Sequence, residues 1–154
     1  MNLDVFDNIY YWLHALFGED LWMLLAGQAS TDTDHFPTIF IVSIALAIAL
    51  CAFYYFNKSV LPPSKFNTKL GWLVIFLVAA FLSWAVGFSI AEYAYNVSSL
   101  TYTDPETSEE ITLDINQGNL IVFGLVNALY SSVIYFFASL LFKRWSANYH
   151  NQPF

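Results

Sequence analysis

The sequence predicts an all-α integral membrane protein: three transmembrane helices, a helical N-terminal segment at the membrane surface, and a small β-hairpin between the second and third spans. The 154-residue chain is 58% hydrophobic and only 11% charged, whereas soluble domains usually carry roughly a quarter charged residues. It contains three long apolar stretches without Lys, Arg, Asp or Glu. Its acidic and basic residues fall in alternate connecting segments. This composition disfavours a soluble monomer, a disordered chain and a nucleic-acid-binding protein.

The three apolar stretches predict spans at residues 36–57, 70–91 and 119–142. A hydrocarbon core about 30 Å thick requires about 20 apolar residues in a helix, and each stretch is long enough. A soluble protein of 154 residues is too small to enclose three such helices in its core. The whole chain is therefore expected to be one membrane domain.

The charged residues predict the orientation of these spans. The five basic residues fall in the loop 58–69 and the tail 143–154: Lys58, Lys65, Lys69, Lys143 and Arg144. Basic residues near the ends of spans remain on the cytoplasmic side, so this loop and this tail are expected inside. All 12 acidic residues fall in segments 1–35 and 92–118, which are then outside. We expect the protein in the inner (plasma) membrane of a bacterium, with the N-terminus outside and the C-terminus in the cytoplasm.

The N-terminal segment 1–35 predicts two short helices at the outer interface. Asp4 or Asp7 can cap the first helix, Gly18 with its acidic neighbours interrupts it, and Gly27 can end the second. The segment has no basic residue, so apolar burial is expected to hold it in place rather than anionic lipid. The alternative is a fourth span over residues 5–27. It would place Glu19 and Asp20 in hydrocarbon, at a cost of about 2.5–3.5 kcal/mol each.

The outer segment 92–118 alternates apolar and polar residues in two places. Leu100 and Tyr102 alternate with threonines, and the same pattern continues at Ile111, Leu113 and Ile115. Such alternation predicts a β-hairpin, with an unstructured acidic loop as the alternative. The loop also has an acidic group that could attract Ca²⁺, although its spacing is not that of a dedicated calcium loop: Asp104, Glu106, Glu109 and Glu110. We expect a solvated turn rather than a specific calcium site.

Small residues recur every four positions along the second and third spans. They form two stripes: Ala79, Ser83, Gly87 and Ala91 in the second span, and Gly124, Ala128 and Ser132 in the third. Small residues at this spacing allow helices to approach closely in lipid. The stripes predict close helix contacts, either within the three-helix monomer or between copies in a homo-oligomer.

A polar stripe lies beside the small residues of the third span. It consists of Asn127, Ser131, Tyr135 and Ser139. An amide within the membrane must find hydrogen-bond partners, so Asn127 is expected to face protein or a water-filled pore. The stripe therefore favours either helix packing or the lining of a channel.

The sequence predicts no catalytic residues, no metal site and no cofactor. The single cysteine, Cys51, excludes an intrachain disulfide and is expected to pack as a small apolar side chain. His14 and His35 fall on the predicted outer side, where they could ligate a metal or haem, but no ligand spacing supports this.

Three functional hypotheses follow from these patterns. The first is a non-enzymatic assembly or accessory subunit of a membrane complex or homo-oligomer. The second is a homo-oligomeric ion-conducting pore, as in a toxin, a defence effector or a related immunity protein. The third is a redox subunit with a His-ligated cofactor. Expected partners are membrane lipids, further copies or other membrane subunits, and a protein or cation on the acidic outer face; nucleic acid is not expected.

Overall fold

The computed structural model describes residues 5–28, 33–56, 69–98, 100–103 and 109–145, and these are mostly helical. Three short helices precede three long ones, and a pair of short strands separates the last two helices. In chain order the elements are α1 (Val5–Tyr11), α2 (His14–Phe17), α3 (Glu19–Leu25), α4 (Phe36–Phe56), α5 (Lys69–Val97), β1 (Thr101–Thr103), β2 (Glu110–Thr112) and α6 (Gln117–Trp145).

The three predicted spans are confirmed as helices that are long and apolar enough to cross a membrane. Helices α4, α5 and α6 each pack against the other two. The one clear difference in length concerns α5, which continues past position 91 to Val97. This extension forms because Ala91 and Ala94 are buried beneath the N-terminal helices, so tertiary packing holds the last turns of α5 together.

The bundle has two chemically different ends. At the end where α4 and α6 begin and α5 finishes, the charged residues whose side chains the structure describes are all acidic: Glu19, Asp20, Asp34, Glu92, Glu109, Glu110 and Asp114. We call this the acidic end. At the opposite, basic end the described charged residues are Lys69, Lys143 and Arg144. The predicted basic residues Lys58 and Lys65 lie outside the described residues.

The N-terminal segment forms three short helices rather than the predicted two. The predicted break occurs at Gly18, whose φ is 97°; a Cβ there would lie 2.6 Å from Asn119 Nδ2. Asn119 Nδ2 also donates to the Phe17 carbonyl at 2.6 Å, so α6 itself occupies the space beside this turn. An unpredicted break separates α1 from α2, where Leu13 N–H donates to the Tyr10 carbonyl. The alternative of a continuous fourth span over residues 5–27 is wrong, because none of these helices exceeds seven residues.

The N-terminal helices pack onto the acidic end of the bundle. Their buried apolar side chains join those of the long helices and of the segment before α6 in one cluster. Its members from the helices include Tyr10, Phe17, Leu21, Trp22, Leu24, Leu25, Phe36, Ile39, Leu120 and Phe123. As predicted, α3 stops just before Gly27, which has a φ of 69°.

The strands β1 and β2 pair antiparallel, with Tyr102 opposite Ile111. The side chains of β2 are exposed, and the buried apolar residues of this segment, Leu113 and Ile115, come just after it. Asp114 N–H donates to Asp20 Oδ2 at 2.9 Å. This segment is therefore attached to α3 through residues that follow the strand pairing, rather than through the pairing itself.

Candidate functional site

The most distinctive internal feature is a network of hydrogen bonds centred on Asn127, in the half of α6 nearer the acidic end. The Asn127 side chain is fully buried. Its Oδ1 accepts from the Tyr10 hydroxyl at 2.8 Å. Its Nδ2 donates to Ser43 Oγ at 2.8 Å and to the Ser83 carbonyl at 2.6 Å. One amide thus joins α1, α4, α5 and α6.

Serine hydroxyls extend this network along α6. Ser83 Oγ donates to Ser131 Oγ at 2.7 Å, one turn further toward the basic end. Ser43, Ser83 and Ser131 are all at most 3% exposed. Because unpaired polar groups are costly in hydrocarbon, these hydrogen bonds allow serine and asparagine to lie in the middle of an apolar bundle.

Tyr10 belongs to a cage of aromatic rings. Its ring stacks on Phe36 with centroids 4.8 Å apart and contacts Phe123 at 5.5 Å and Tyr130 at 5.3 Å. Tyr130 in turn donates its hydroxyl to the Ile9 carbonyl. Burial, and secondarily Tyr130, raises the pKa of Tyr10, so its hydroxyl stays protonated and donates to Asn127.

A second polar group lies near the basic end, around Ser139. Its hydroxyl accepts from Trp72 Nε1 at 2.8 Å and shares a hydrogen bond with the Tyr55 hydroxyl at 2.6 Å. Tyr135, one turn earlier in the polar stripe, is fully buried, and its hydroxyl has no hydrogen-bond partner among the described residues. Its ring packs against Trp72 and Phe76.

All four residues of the polar stripe therefore lie inside the bundle. Asn127, Ser131, Tyr135 and Ser139 are at most 2% exposed within the single chain. Sequence reasoning missed the residues that pair with them on the other elements, Tyr10, Tyr55 and Trp72. A bond such as that between Tyr10 and Asn127 joins residues 117 positions apart, and no local pattern marks such a pair.

The small residues of α5 lie in the contact with α6. Ala79, Ser83, Gly87 and Ala91 are all buried. A Cβ on Gly87 would lie 3.0 Å from Asn127 Cβ, so this glycine permits the close approach that Asn127 needs to reach the Ser83 carbonyl. The predicted close contact is thus found between two helices of one chain.

The small residues of α6 occupy a different position. Gly124 is buried against Trp84, whose Cδ1 would lie 2.7 Å from an added Cβ. Ala128 and Ser132 are half-buried, and Ala128 lines an apolar groove of about 320 Å³ with Ala80, Phe81, Trp84 and Leu125. This stripe passes from the bundle interior to a surface that another chain can reach.

The histidines and the cysteine have separate surroundings. The His14 ring stacks on Tyr11 and its Nδ1 contacts the Tyr11 carbonyl oxygen, while His35 lies beside Tyr93 and Ala94. Cys51 is buried in the cluster at the basic end. Within the part of the chain that the structure describes, no three His, Cys, Asp or Glu residues come together in a way that could hold a metal ion.

The remaining predicted positions lie near the two ends. Lys69 and Arg144 are exposed and Lys143 is half-buried at the basic end. In the predicted acidic turn, Glu109 and Glu110 are exposed, whereas Asp104 and Glu106 lie outside the described residues. No protein-family model, curated protein or solved structure matches the chain.

Proposed function

We propose that this chain is a non-enzymatic assembly or accessory subunit of a membrane complex or homo-oligomer. The observation that carries this proposal is the internal pairing of the polar residues in the spans: Asn127 with Tyr10, Ser43 and Ser83, and Ser139 with Tyr55 and Trp72. A bundle in which the asparagine and the serines of the polar stripe hold its own helices together is suited to a rigid membrane platform. The apolar sides of the bundle suit contacts with neighbouring spans in the membrane. The acidic end suits contacts with a partner on the proposed outer side.

The proposed orientation places the acidic end outside and the basic end in the cytoplasm of a bacterial cell. Lys69, Lys143 and Arg144 lie at one end of the helices, and basic residues near span ends favour the cytoplasmic side. In this orientation α1 to α3 lie in the outer interface as the predicted interfacial helices, and β1 and β2 form the outer hairpin. Exposed apolar residues in this region, such as Trp12 between α1 and α2 at 85% exposure and Leu16 of α2 at 61% exposure, would then contact lipid.

The lateral contacts would use the grooves on either side of α5. One is the groove beside Trp84 and Ala128. The other, of about 390 Å³, lies between α4 and α5 and includes Leu46, Ala85 and Ser89. Small residues in a groove allow a neighbouring span to approach closely in lipid, so a second copy or another subunit can pack at these positions.

Purification in a mild detergent, followed by mass measurement and identification of co-purifying proteins, tests the proposal. A defined homo-oligomer or a stoichiometric partner is the expected result. Ala128 lines the groove beside Trp84 and is not part of the polar network. The substitution Ala128→Leu should therefore reduce the assembled fraction while leaving the monomer folded. A strictly monomeric protein without a partner under all mild conditions would contradict the proposal.

The pore hypothesis has less support, because a channel lined by the polar stripe requires Ser131 and Asn127 to face water. A Ser131→Cys variant in a Cys51→Ala background distinguishes the two functions. Ser131 is 1% exposed, so we expect no labelling of this variant by a membrane-impermeant maleimide in liposomes. Asn96→Cys, at an exposed position of α5, is the positive control. Labelling at position 131 together with ion flux from the liposomes would favour the pore instead.

A further inference from the structure

A partly enclosed cavity of about 300 Å³ lies at the acidic end, between the segment that precedes α4 and the last turns of α5. It is lined by Thr33, His35, Tyr93, Ala94, Val97 and Ser98. Ala94 is buried at 2% exposure, while Tyr93 is 61% exposed. The cavity therefore combines apolar side chains with an imidazole, a phenol and hydroxyl groups. Ligand sites commonly combine apolar walls with a few polar groups in this way.

Hydrogen bonds fix both walls of this cavity. His35 N–H donates to the Leu25 carbonyl at 2.8 Å, which ties the segment before α4 to the end of α3. Asp34 Oδ1 accepts from Phe36 N–H at 2.9 Å and so caps the start of α4. On the other wall, Ser98 N–H donates to the Ala94 carbonyl at 3.0 Å. The cavity is thus a consequence of the extension of α5 beyond its predicted end, opposite an anchored turn.

The charges around the cavity favour a cation. The described charged residues at this end are all acidic, and Asp34 and Glu92 are immediate chain neighbours of the lining residues His35 and Tyr93. Burial lowers the pKa of His35, although Asp34 acts in the opposite direction. A neutral imidazole offers a hydrogen-bond acceptor and adds no positive charge to the site.

We propose that this cavity binds an ammonium group, with the Tyr93 ring contacting the cation. Where the ammonium carries N–H groups, these donate hydrogen bonds to the His35 imidazole and to the hydroxyl oxygens that line the cavity. Aromatic ring faces attract ammonium cations, and proteins use aromatic side chains to recognise quaternary ammonium groups. The ammonium can belong to the headgroup of phosphatidylethanolamine or phosphatidylcholine or to a free amine. The site is independent of the subunit role, since it uses neither the grooves beside α5 nor the polar network.

Ligand binding to the full chain in an uncharged maltoside detergent tests this site, with choline and ethanolamine as soluble probes in calorimetric titrations. We expect saturable binding that Tyr93→Leu weakens about 3- to 10-fold, because it removes the aromatic face. Tyr93→Phe should retain binding. Tyr11→Leu is the matched control, since Tyr11 is also an exposed aromatic residue at the acidic end but lies outside the cavity. Thermal unfolding of each variant verifies that it is folded.

Nanodiscs separate the two sources of the ammonium group. Lipid retained after extraction from mixtures of phosphatidylethanolamine, phosphatidylcholine and phosphatidylglycerol is measured by native mass spectrometry. Tyr93-dependent retention of the first two lipids assigns the site to a headgroup, whereas Tyr93-dependent binding of the soluble probes alone assigns it to a free amine. Absence of saturable binding in both experiments, or equal binding by Tyr93→Leu and the natural sequence, would overturn the proposal.

Discussion

Replacing Asn127 with Leu is expected to lower the free energy of unfolding by about 3 kcal/mol, because the substitution leaves several buried groups unpaired at once. The Tyr10 hydroxyl and Ser43 Oγ lose their bonds to the amide, and the Ser83 carbonyl loses its side-chain donor. Single side-chain hydrogen bonds in membrane proteins average about 0.6 kcal/mol. The effect expected here is larger because one amide bonds three partners at the same time. Reversible unfolding in mixed micelles, followed by tryptophan fluorescence, measures it.

Two further variants distinguish a shared network from a single bond. Tyr10→Phe removes one hydroxyl while keeping the aromatic ring against Phe36 and Phe123, and we expect a loss of about 1 kcal/mol. Asn96→Leu removes an amide from an exposed position of α5 and should change stability by less than about 0.5 kcal/mol. If Asn127→Leu cost no more than Tyr10→Phe, the network would not be a main determinant of bundle stability.

The spans were predictable because their signal is local. A run of apolar residues long enough to cross hydrocarbon requires no knowledge of its neighbours, and α4, for example, has nearly the predicted bounds. The segregation of charge between the two ends follows once the helices alternate in direction. In contrast, the extension of α5 to Val97 depends on the burial of Ala94 beneath the N-terminal helices, which no pattern within α5 indicates.

The N-terminal segment illustrates the same limit. The break at Gly18 was predictable from the residue itself, because glycine readily adopts positive φ. The contact of this turn with Asn119 of α6 was not predictable, because it joins segments far apart in the chain. The break between α1 and α2 was missed altogether. Tyr10, just before this break, donates to Asn127, and this tertiary contact lies where the sequence prediction had one uninterrupted helix up to Gly18.

For the candidate site, the sequence identified which residues needed partners but not the partners themselves. Asn127 could be expected to face protein or water from the cost of a bare amide in hydrocarbon. Whether its neighbour is another helix of the chain, a second copy or a water column depends on how three helices rotate about their axes. That rotation is determined by contacts such as Gly87 with Asn127 and Gly124 with Trp84. The sequence could not predict the rotation, because small residues at regular spacing are compatible with all three arrangements.

The contact at Gly87 leads to the second large effect: Gly87→Leu should lower the free energy of unfolding by about 3 kcal/mol, because overpacking alone costs about 1–3 kcal/mol and the network is disturbed as well. A Cβ at this position would lie 3.0 Å from both Asn127 Cβ and Nδ2, so the larger side chain must push α5 away from α6. That displacement also stretches the bond from Asn127 Nδ2 to the Ser83 carbonyl. The same unfolding measurement detects the loss, and Gly87→Ala should give an intermediate value.

Ala49→Leu is the matched control for Gly87→Leu, because it adds a leucine to a long helix, α4, at an exposed position outside the grooves beside α5. A leucine there faces lipid, so the change should remain within about 0.5 kcal/mol. The contrast separates close packing inside the chain from the general effect of adding a leucine to a span. Equal stability of Gly87→Leu and Ala49→Leu would mean that α5 and α6 can separate at this level without cost, and the buried position of Asn127 would then lose its structural explanation.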